Sequence, residues 1–378
     1  MTEKRKIRVL ECIRQGKIGG GESHLLDLVE NLNRDRFEPI VLSFTDGPMI
    51  QKLNEMGVKT HVIHTEKPFD FTKWGAVKRL MIEEMIDLVH AHGTRANSNV
   101  NWAARSLGLP LAYTIHGWSF HQDQGYLLRN LRIMGERYLT RRTNLNISVS
   151  ASNQKAGKQF IPGFESVVVN YGINTKRFNH AAQYPDVRTE LGIPKDKVLV
   201  LFIARVTHHK QPLAMVEAFA NAIKVVPNLH LLMVGDGDQK PQAMELIQRL
   251  KIQDYVTLQP FRQDVPAVLA SADIFVLPSL WEGLPIALLE AMTMGKAIIA
   301  SNVDGTCDVI EHYKNGVLVE TDKLVSNLTN QLIAVGKDAG LRKVLQINSL
   351  ETVRDRFNVV SMTQKIEKLY LDLLNRRS

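Results

Sequence analysis

Two cysteines are all that the 378 residues contain, Cys12 and Cys307. They are far apart and lack CxxC or histidine spacing, so neither a disulfide framework nor a zinc site is indicated, and a reducing compartment is expected. Long apolar runs are missing too. The start, MTEKRKIRVLECI, is a basic cluster followed by an apolar run that breaks at Glu11. That run is too short for a signal peptide or a membrane span, and a cytoplasmic location is the expectation. No low-complexity tract occurs, and no DNA- or RNA-binding motif accompanies the positive charge, so nucleic acid is not expected as a partner.

What is present is the composition of a folded globular chain, 44% hydrophobic and 23% charged, at a length that one core seldom serves. Two domains are expected. The formal charge of +8 is uneven: residues 1–175 carry 23 Lys/Arg against 17 Asp/Glu, and the remainder 24 against 22. Part of the excess lies in YLLRNLRIMGERYLTRRT (126–143), where five arginines interleave with leucines, Met134 and Tyr138. This predicts a basic amphipathic helix. Its apolar stripe either enters the core or the helix meets a polyanionic substrate or an anionic membrane surface, where each cation adds about 1 kcal/mol.

Short β-branched or apolar runs alternate with helical periods. KIRVLECI, PIVLSF, KTHVIH, DLVHAH, LAYTIHG, NLNISVS and SVVVN come first; after the turn-rich 172–186 follow VLVLFIA, LHLLMVG, YVTLQ, DIFVLPS, AIIAS and GVLV. The pattern predicts two α/β domains, each a doubly wound parallel sheet, with ligands beyond the carboxyl ends of strands.

Four loops lie where chemistry is expected, and three of them carry it. Gly19, Gly20 and Gly21 precede a helix with apolar positions at Leu25, Leu26, Leu28, Val29 and Leu32, a loop that lets phosphate or sugar approach backbone amides. It is neither a dinucleotide fingerprint nor a Walker loop. GDGDQK (235–240) reads as a βα turn with a helix-capping aspartate rather than a metal site. In FIARVTHHKQPL, Arg205 and Lys210 are placed to clamp a diphosphate. In SLWEGLPIALLEAM, Glu282 falls in the loop after a strand, Pro285 suits a first helical turn, and Glu290 lies on that helix. The amides of Leu284 and Ile286 suit an anion, and the carboxylates suit vicinal hydroxyls. A sugar diphosphate joined to a ribonucleoside satisfies all of these.

These residues resemble glycosyltransferase family 4. The Glu282–Glu290 pair is similar to that family's E-x7-E motif; Arg205 with Lys210, IGGGESHLLDL, VHAHGTRANSNV and TIHG (114–117) add to the likeness. The resemblance implies the GT-B fold: two facing Rossmann-like domains, an interdomain cleft, and a final helix crossing back to the first domain. The expected divisions are 1–172 for acceptor, 173–358 for nucleotide sugar and 359–378 for the crossing helix.

It further implies that Glu290 binds the ribose, Glu282 the donor hexose, and Arg205 and Lys210 the diphosphate. Gly19, Gly20 and the stretch Gly283, Leu284, Pro285 and Ile286 complete the donor site, and His116 sits at the reaction centre. The implied activity is retaining, metal-independent transfer of a hexosyl group from a nucleotide sugar to an acceptor hydroxyl; the basic helix at 126–143 is what points to a saccharide or lipid-linked saccharide as acceptor and to peripheral contact with an anionic membrane. A non-catalytic nucleotide-sugar-binding protein, or a GT-B phosphorylase or epimerase, is the alternative. Two departures stand out: Tyr171 precedes Gly172 where the family often has Asn, and Val303-Asp304-Gly305-Thr306-Cys307-Asp308 replaces the frequent Val-Gly-Gly-x-Pro-Glu.

Overall fold

The computed structural model describes residues 5–17, 19–121 and 124–376; the first four residues of the basic start and the last two of the crossing segment lie outside them. All thirteen expected runs are strands. The first sheet holds β1 (Ile7–Ile13), β2 (Phe37–Ser43), β3 (Lys59–Val62), β4 (Leu88–His92), β5 (Leu111–Ile115), β6 (Leu145–Ser148) and β7 (Val167–Val168), in the order 3-2-1-4-5-6-7. The second holds β8 (Val198–Ile203), β9 (Leu229–Val234), β10 (Val256–Gln259), β11 (Ile274–Leu277), β12 (Ala297–Ser301) and β13 (Val317–Val319), in the order 10-9-8-11-12-13. Every pairing is parallel.

Parallel strands need crossovers, and helices supply them on both faces, which is why the strands read as near-continuous apolar runs. The chain divides into two compact units, one running to Gly172 and resuming at Val359, the other spanning Ile173–Asn358. In each unit the strand order reverses once, between β1 and β4 in the first and between β8 and β11 in the second. At such a reversal the connecting helices diverge to opposite faces and leave a crevice at the carboxyl ends.

The helix Val359–Asn375 belongs to the first unit. Its buried Met362, Ile366, Tyr370 and Leu373 join Val9 of β1, Leu88 of β4 and Leu28 of the helix Gly20–Asn31 in one core. The last helix therefore covers the same sheet face as the first. In the second unit, Phe202, Phe219, Leu231, Val276 and Ile299 lie in the main core.

The glycine loop departs from expectation. Gly20 and Gly21 are already in the first turn of the helix Gly20–Asn31, with Gly19 as its N-cap. A side chain at Gly21 would reach within 3.3 Å of the His116 ring, so close helix–loop packing explains this glycine better than turn formation does. Removing side-chain bulk from the last helix tests its part in the first core. Ile366→Ala, at a site 1% exposed, is expected to cost about 2–5 kcal/mol of stability, read as a lowered urea midpoint for the first unit.

Candidate functional site

Successive side chains in a strand alternate faces, so residues two apart share one. In the first unit this places Glu11 of β1, His90 and His92 of β4, and Thr114 of β5 on the face covered by the helices Gly20–Asn31 and Val359–Asn375. The register sets Glu11 against His90 and Ile13 against His92. His116 follows just beyond β5, continuing the alternation. Glu11, His90, His92 and Thr114 are all at most 1% exposed.

A buried carboxylate needs donors on every side. Glu11 receives the Tyr370 hydroxyl on Oε1 at 2.7 Å and His92 Nε2 on Oε2 at 2.8 Å, with His90 Nδ1 at 3.2 Å from Oε2. Burial alone would raise its pKa, but the His90 and His92 imidazoles outweigh this and hold the carboxyl well below its usual range. His92 is pushed down to about 4, chiefly by burial, and burial likewise lowers His116 and His24 well below the ordinary histidine value. These three imidazoles are neutral at pH 7.

The direction of each hydrogen bond then follows. An ionised Glu11 accepts only, so His92 carries its proton on Nε2 and has a bare Nδ1. That Nδ1 lies 3.1 Å from His116 Nε2, which must donate. His116 Nδ1 is in turn bare and accepts from the Tyr171 hydroxyl at 2.5 Å. Reversing the chain would set a bare His92 nitrogen against a carboxylate oxygen. His90 closes the network: its Nδ1 faces Tyr370 Oη at 2.5 Å and its Nε2 faces Thr114 Oγ1 at 2.8 Å.

Glu11, His90 and His92 also present three potential metal-ligand atoms within 4.8 Å of one another. The 2.8 Å between Glu11 and His92 is a hydrogen-bond length, shorter than the ~3.3 Å edge of a tetrahedral site with 2.0–2.1 Å bonds. The donor set is satisfied internally. His24, 3% exposed on the helix Gly20–Asn31, completes an aromatic box around His116, with ring centroids at 5.4 Å to His116 and 4.9 Å to Tyr171.

The second unit gathers the loops after β8 and β11. Lys210, in a short 3-10 turn at His208–Lys210, forms an ion pair with Glu282, whose side chain is only 9% exposed. Burial would raise the Glu282 pKa, and Lys210 reverses the effect. His209 stacks on Trp281 at 4.8 Å, and the Leu280 amide donates to the His209 carbonyl at 2.9 Å, so the two loops are joined by backbone as well as charge. Arg205 is exposed and, among the described residues, enters no ion pair.

Pro285 is the N-cap of the helix Ile286–Thr293, which carries Glu290 on a partly buried face. A helix leaves its first-turn amides without intrahelical acceptors, here those of Ile286 and Ala287. The Val303–Asp308 stretch that departs from the family pattern supports this loop: Gly305 N donates to the Glu282 carbonyl at 3.2 Å, and a side chain at 305 would strike the Gly283 carbonyl.

GDGDQK differs from expectation in detail. It is a βα turn, but Asp236 caps no helix; it accepts the Phe261 amide at 2.8 Å and pairs with Lys240 at 2.6 Å. Its glycines are there for contact. A side chain at Gly235 or Gly237 would strike the carbonyls of Ala204 and Val206, on either side of Arg205.

The basic helix is Tyr126–Arg141, and its apolar stripe faces outward. Only Glu136, Leu139 and Thr140 are buried, while Leu127 is 83%, Leu131 65% and Met134 67% exposed. Several arginines are tied down beside it: Arg132 to the Ser119 carbonyl, Arg129 over Phe160 and Arg142 over Tyr138. No helix among the described residues is long and apolar enough to cross a membrane.

Two family models match in succession, Glycosyltransferase Family 4 over residues 18–177 and Glycosyl transferases group 1 over residues 183–351. The chain is 24% identical over 380 residues to the UDP-Gal:alpha-D-GlcNAc-diphosphoundecaprenol alpha-1,3-galactosyltransferase of Escherichia coli, with 98% of each covered. It is 25% identical to the N,N'-diacetylbacillosaminyl-diphospho-undecaprenol alpha-1,3-N-acetylgalactosaminyltransferase of Campylobacter jejuni, over 89% of this chain and 92% of that one. Among solved structures, HepE of Anabaena with UDP and glucose superimposes at a TM-score of 0.85, with 23% identity, covering 97% of this chain and all of that one. Sucrose-phosphate synthase of Thermosynechococcus elongatus does so at 0.81, with 20% identity over 98% of this chain and all of that one. With two parallel sheets each reversing once, and both family models matched in order along its length, the chain belongs to glycosyltransferase family 4 and is a glycosyltransferase of the GT-B fold.

Proposed function

We propose that this protein is a retaining, metal-independent hexosyltransferase that moves a sugar from a UDP-hexose to a hydroxyl of a saccharide carried on a lipid diphosphate. The observation that carries the reading is the set of groups at the β8/β11 reversal: an exposed Arg205, a Lys210–Glu282 pair, a helix start at Ile286 and Glu290 further along the same helix. A nucleotide diphosphate sugar suits each of them. Arg205, Lys210 and the amides near Leu284 and Ile286 hold the diphosphate; Glu282 takes hydroxyls of the hexose and Glu290 those of the ribose. In the first unit, Gly19 and Gly20 present amides of a helix start that suit an anionic or sugar ligand.

The E. coli relative is named for UDP-Gal as donor and a diphosphoundecaprenol-linked acceptor, which supports both substrate classes here. Its α-linked product from an α-linked donor supports retention. Glu282 is committed to Lys210 rather than poised as a nucleophile, which favours attack from the face the leaving group vacates. Charge growing on the departing diphosphate is then stabilised by the preset cations and helix-end amides, the office a metal ion fills elsewhere.

The outward stripe of the helix Tyr126–Arg141 supports peripheral attachment to an anionic membrane, where a lipid-linked acceptor resides. Apolar side chains enter the interface while the exposed Arg137 meets lipid phosphates.

Arg205→Ala is the clean test of the leaving-group role, since it leaves no buried partner uncompensated: turnover should fall at least about a hundredfold, as for loss of one oxyanion contact. Near-normal transfer by this variant would rule the role out. Lys210→Ala should lose at least as much, with some destabilisation from the stranded Glu282. In calorimetry, Glu290→Ala should weaken UDP binding; unchanged affinity would end its ribose assignment. Transfer should survive chelation by EDTA. At low salt the protein should float with anionic phospholipid vesicles and not with neutral ones, and Leu127→Glu with Leu131→Glu should abolish flotation without lowering the melting temperature.

A further inference from the structure

We propose that Glu11 and His92 are positioning residues that hold His116 in one tautomer, so that its Nδ1 is the atom that accepts the hydrogen bond of the acceptor's attacking hydroxyl, a place the Tyr171 hydroxyl fills in the free protein. This rests on the glycosyltransferase reading above and adds to it the residues that prepare His116.

The geometry is a single oriented file. Tyr171 O–H donates to His116 Nδ1, His116 Nε2–H to His92 Nδ1, and His92 Nε2–H to Glu11, over 2.5, 3.1 and 2.8 Å. Both nitrogens of His116 are engaged, so a substrate hydroxyl reaches the ring only by exchange at one end. The inner end is buried behind His92, which is 1% exposed, and cannot be exchanged. The outer end is held by a single phenol at the last residue before Gly172, and a phenol and an alcohol present the same O–H to a bare nitrogen.

Glu11 acts at a distance, through His92. It does not take a proton in the reaction; its full set of donors keeps it ionised, and an ionised carboxylate compels one protonation pattern along the file. A neutral amide in its place has no such power. A glutamine side chain there could donate to His92 Nε2, both imidazoles would turn over, and His116 would present an N–H outward where a lone pair is required.

The test uses the full chain labelled with nitrogen-15 at histidine. Two-bond nitrogen–proton correlation of the wild type, with the His116 signals assigned from a His116→Gln spectrum, should show a protonated Nε2 and a bare Nδ1. A protonated Nδ1 in the wild type overturns the proposal, whether or not any variant folds. In Glu11→Gln the His116 tautomer should change, and kcat should fall roughly 10- to 100-fold, as for other groups that orient a functional imidazole, with the donor KM little altered. A folded Glu11→Gln enzyme with wild-type kcat and an unchanged His116 spectrum also overturns it. In Tyr171→Phe the acceptor KM should fall, because a competing hydroxyl is gone; a raised KM overturns the exchange at Nδ1. The spectra need no substrate. Absence of transfer from any nucleotide sugar would count against the proposed function, while the tautomer would still be decided.

Discussion

Everything chemical in this protein hangs on where a parallel sheet changes its winding direction. Helices cover the sheet on both faces, and only at the reversal do neighbouring crossovers part and leave strand ends accessible. The chain meets this constraint twice. In the second unit the loops at the reversal gather an exposed cation, an ion pair and a helix start; in the first, a buried polar file runs from β1 through β4 to an imidazole just past β5. The fold places the crevices, and the residues at the strand ends decide what each can bind.

The two crevices solve opposite electrostatic problems. The second, on the proposed reading, receives an anion, with Arg205 at the surface and the Lys210–Glu282 pair and the helix start beneath it. The first must keep an anion of its own under cover. Three donors around Glu11 offset the cost of stripping water from a carboxylate, and one of them comes from the last helix of the chain. Removing any of them leaves the charge short of a partner, which is a large penalty for a small change.

Both sheets and the loops of the proposed donor site are legible in the sequence because each is written locally. Apolar runs mark the strands, and Arg205, Lys210, Glu282 and Glu290 sit within a few residues of strand ends and helix starts. The polar file is not legible as a unit. Glu11 registers only as a break in an apolar run, and the period-two histidines of VHAHG and TIHG only as family likeness, because their meaning depends on three strands lying side by side and on a helix beginning at Val359. Tyr171 reads as a mismatch with the family; its significance lies in a hydrogen bond across 55 residues. The aspartate of GDGDQK reads as a cap and is not one, because its acceptor role is toward Phe261, on a different loop. Amphipathicity announces the helix Tyr126–Arg141, but periodicity cannot tell whether an apolar stripe faces in or out.

The bond from Tyr370 to Glu11 joins residues 359 positions apart. On the ribosome the first strand is made early, and its carboxylate waits through the synthesis of an entire second domain before its hydroxyl donor emerges. The first unit thus cannot complete its polar file until the second unit has been synthesised. Whatever acceptor chemistry His116 supports is withheld until the helix Val359–Asn375 has been made and has docked on the first sheet.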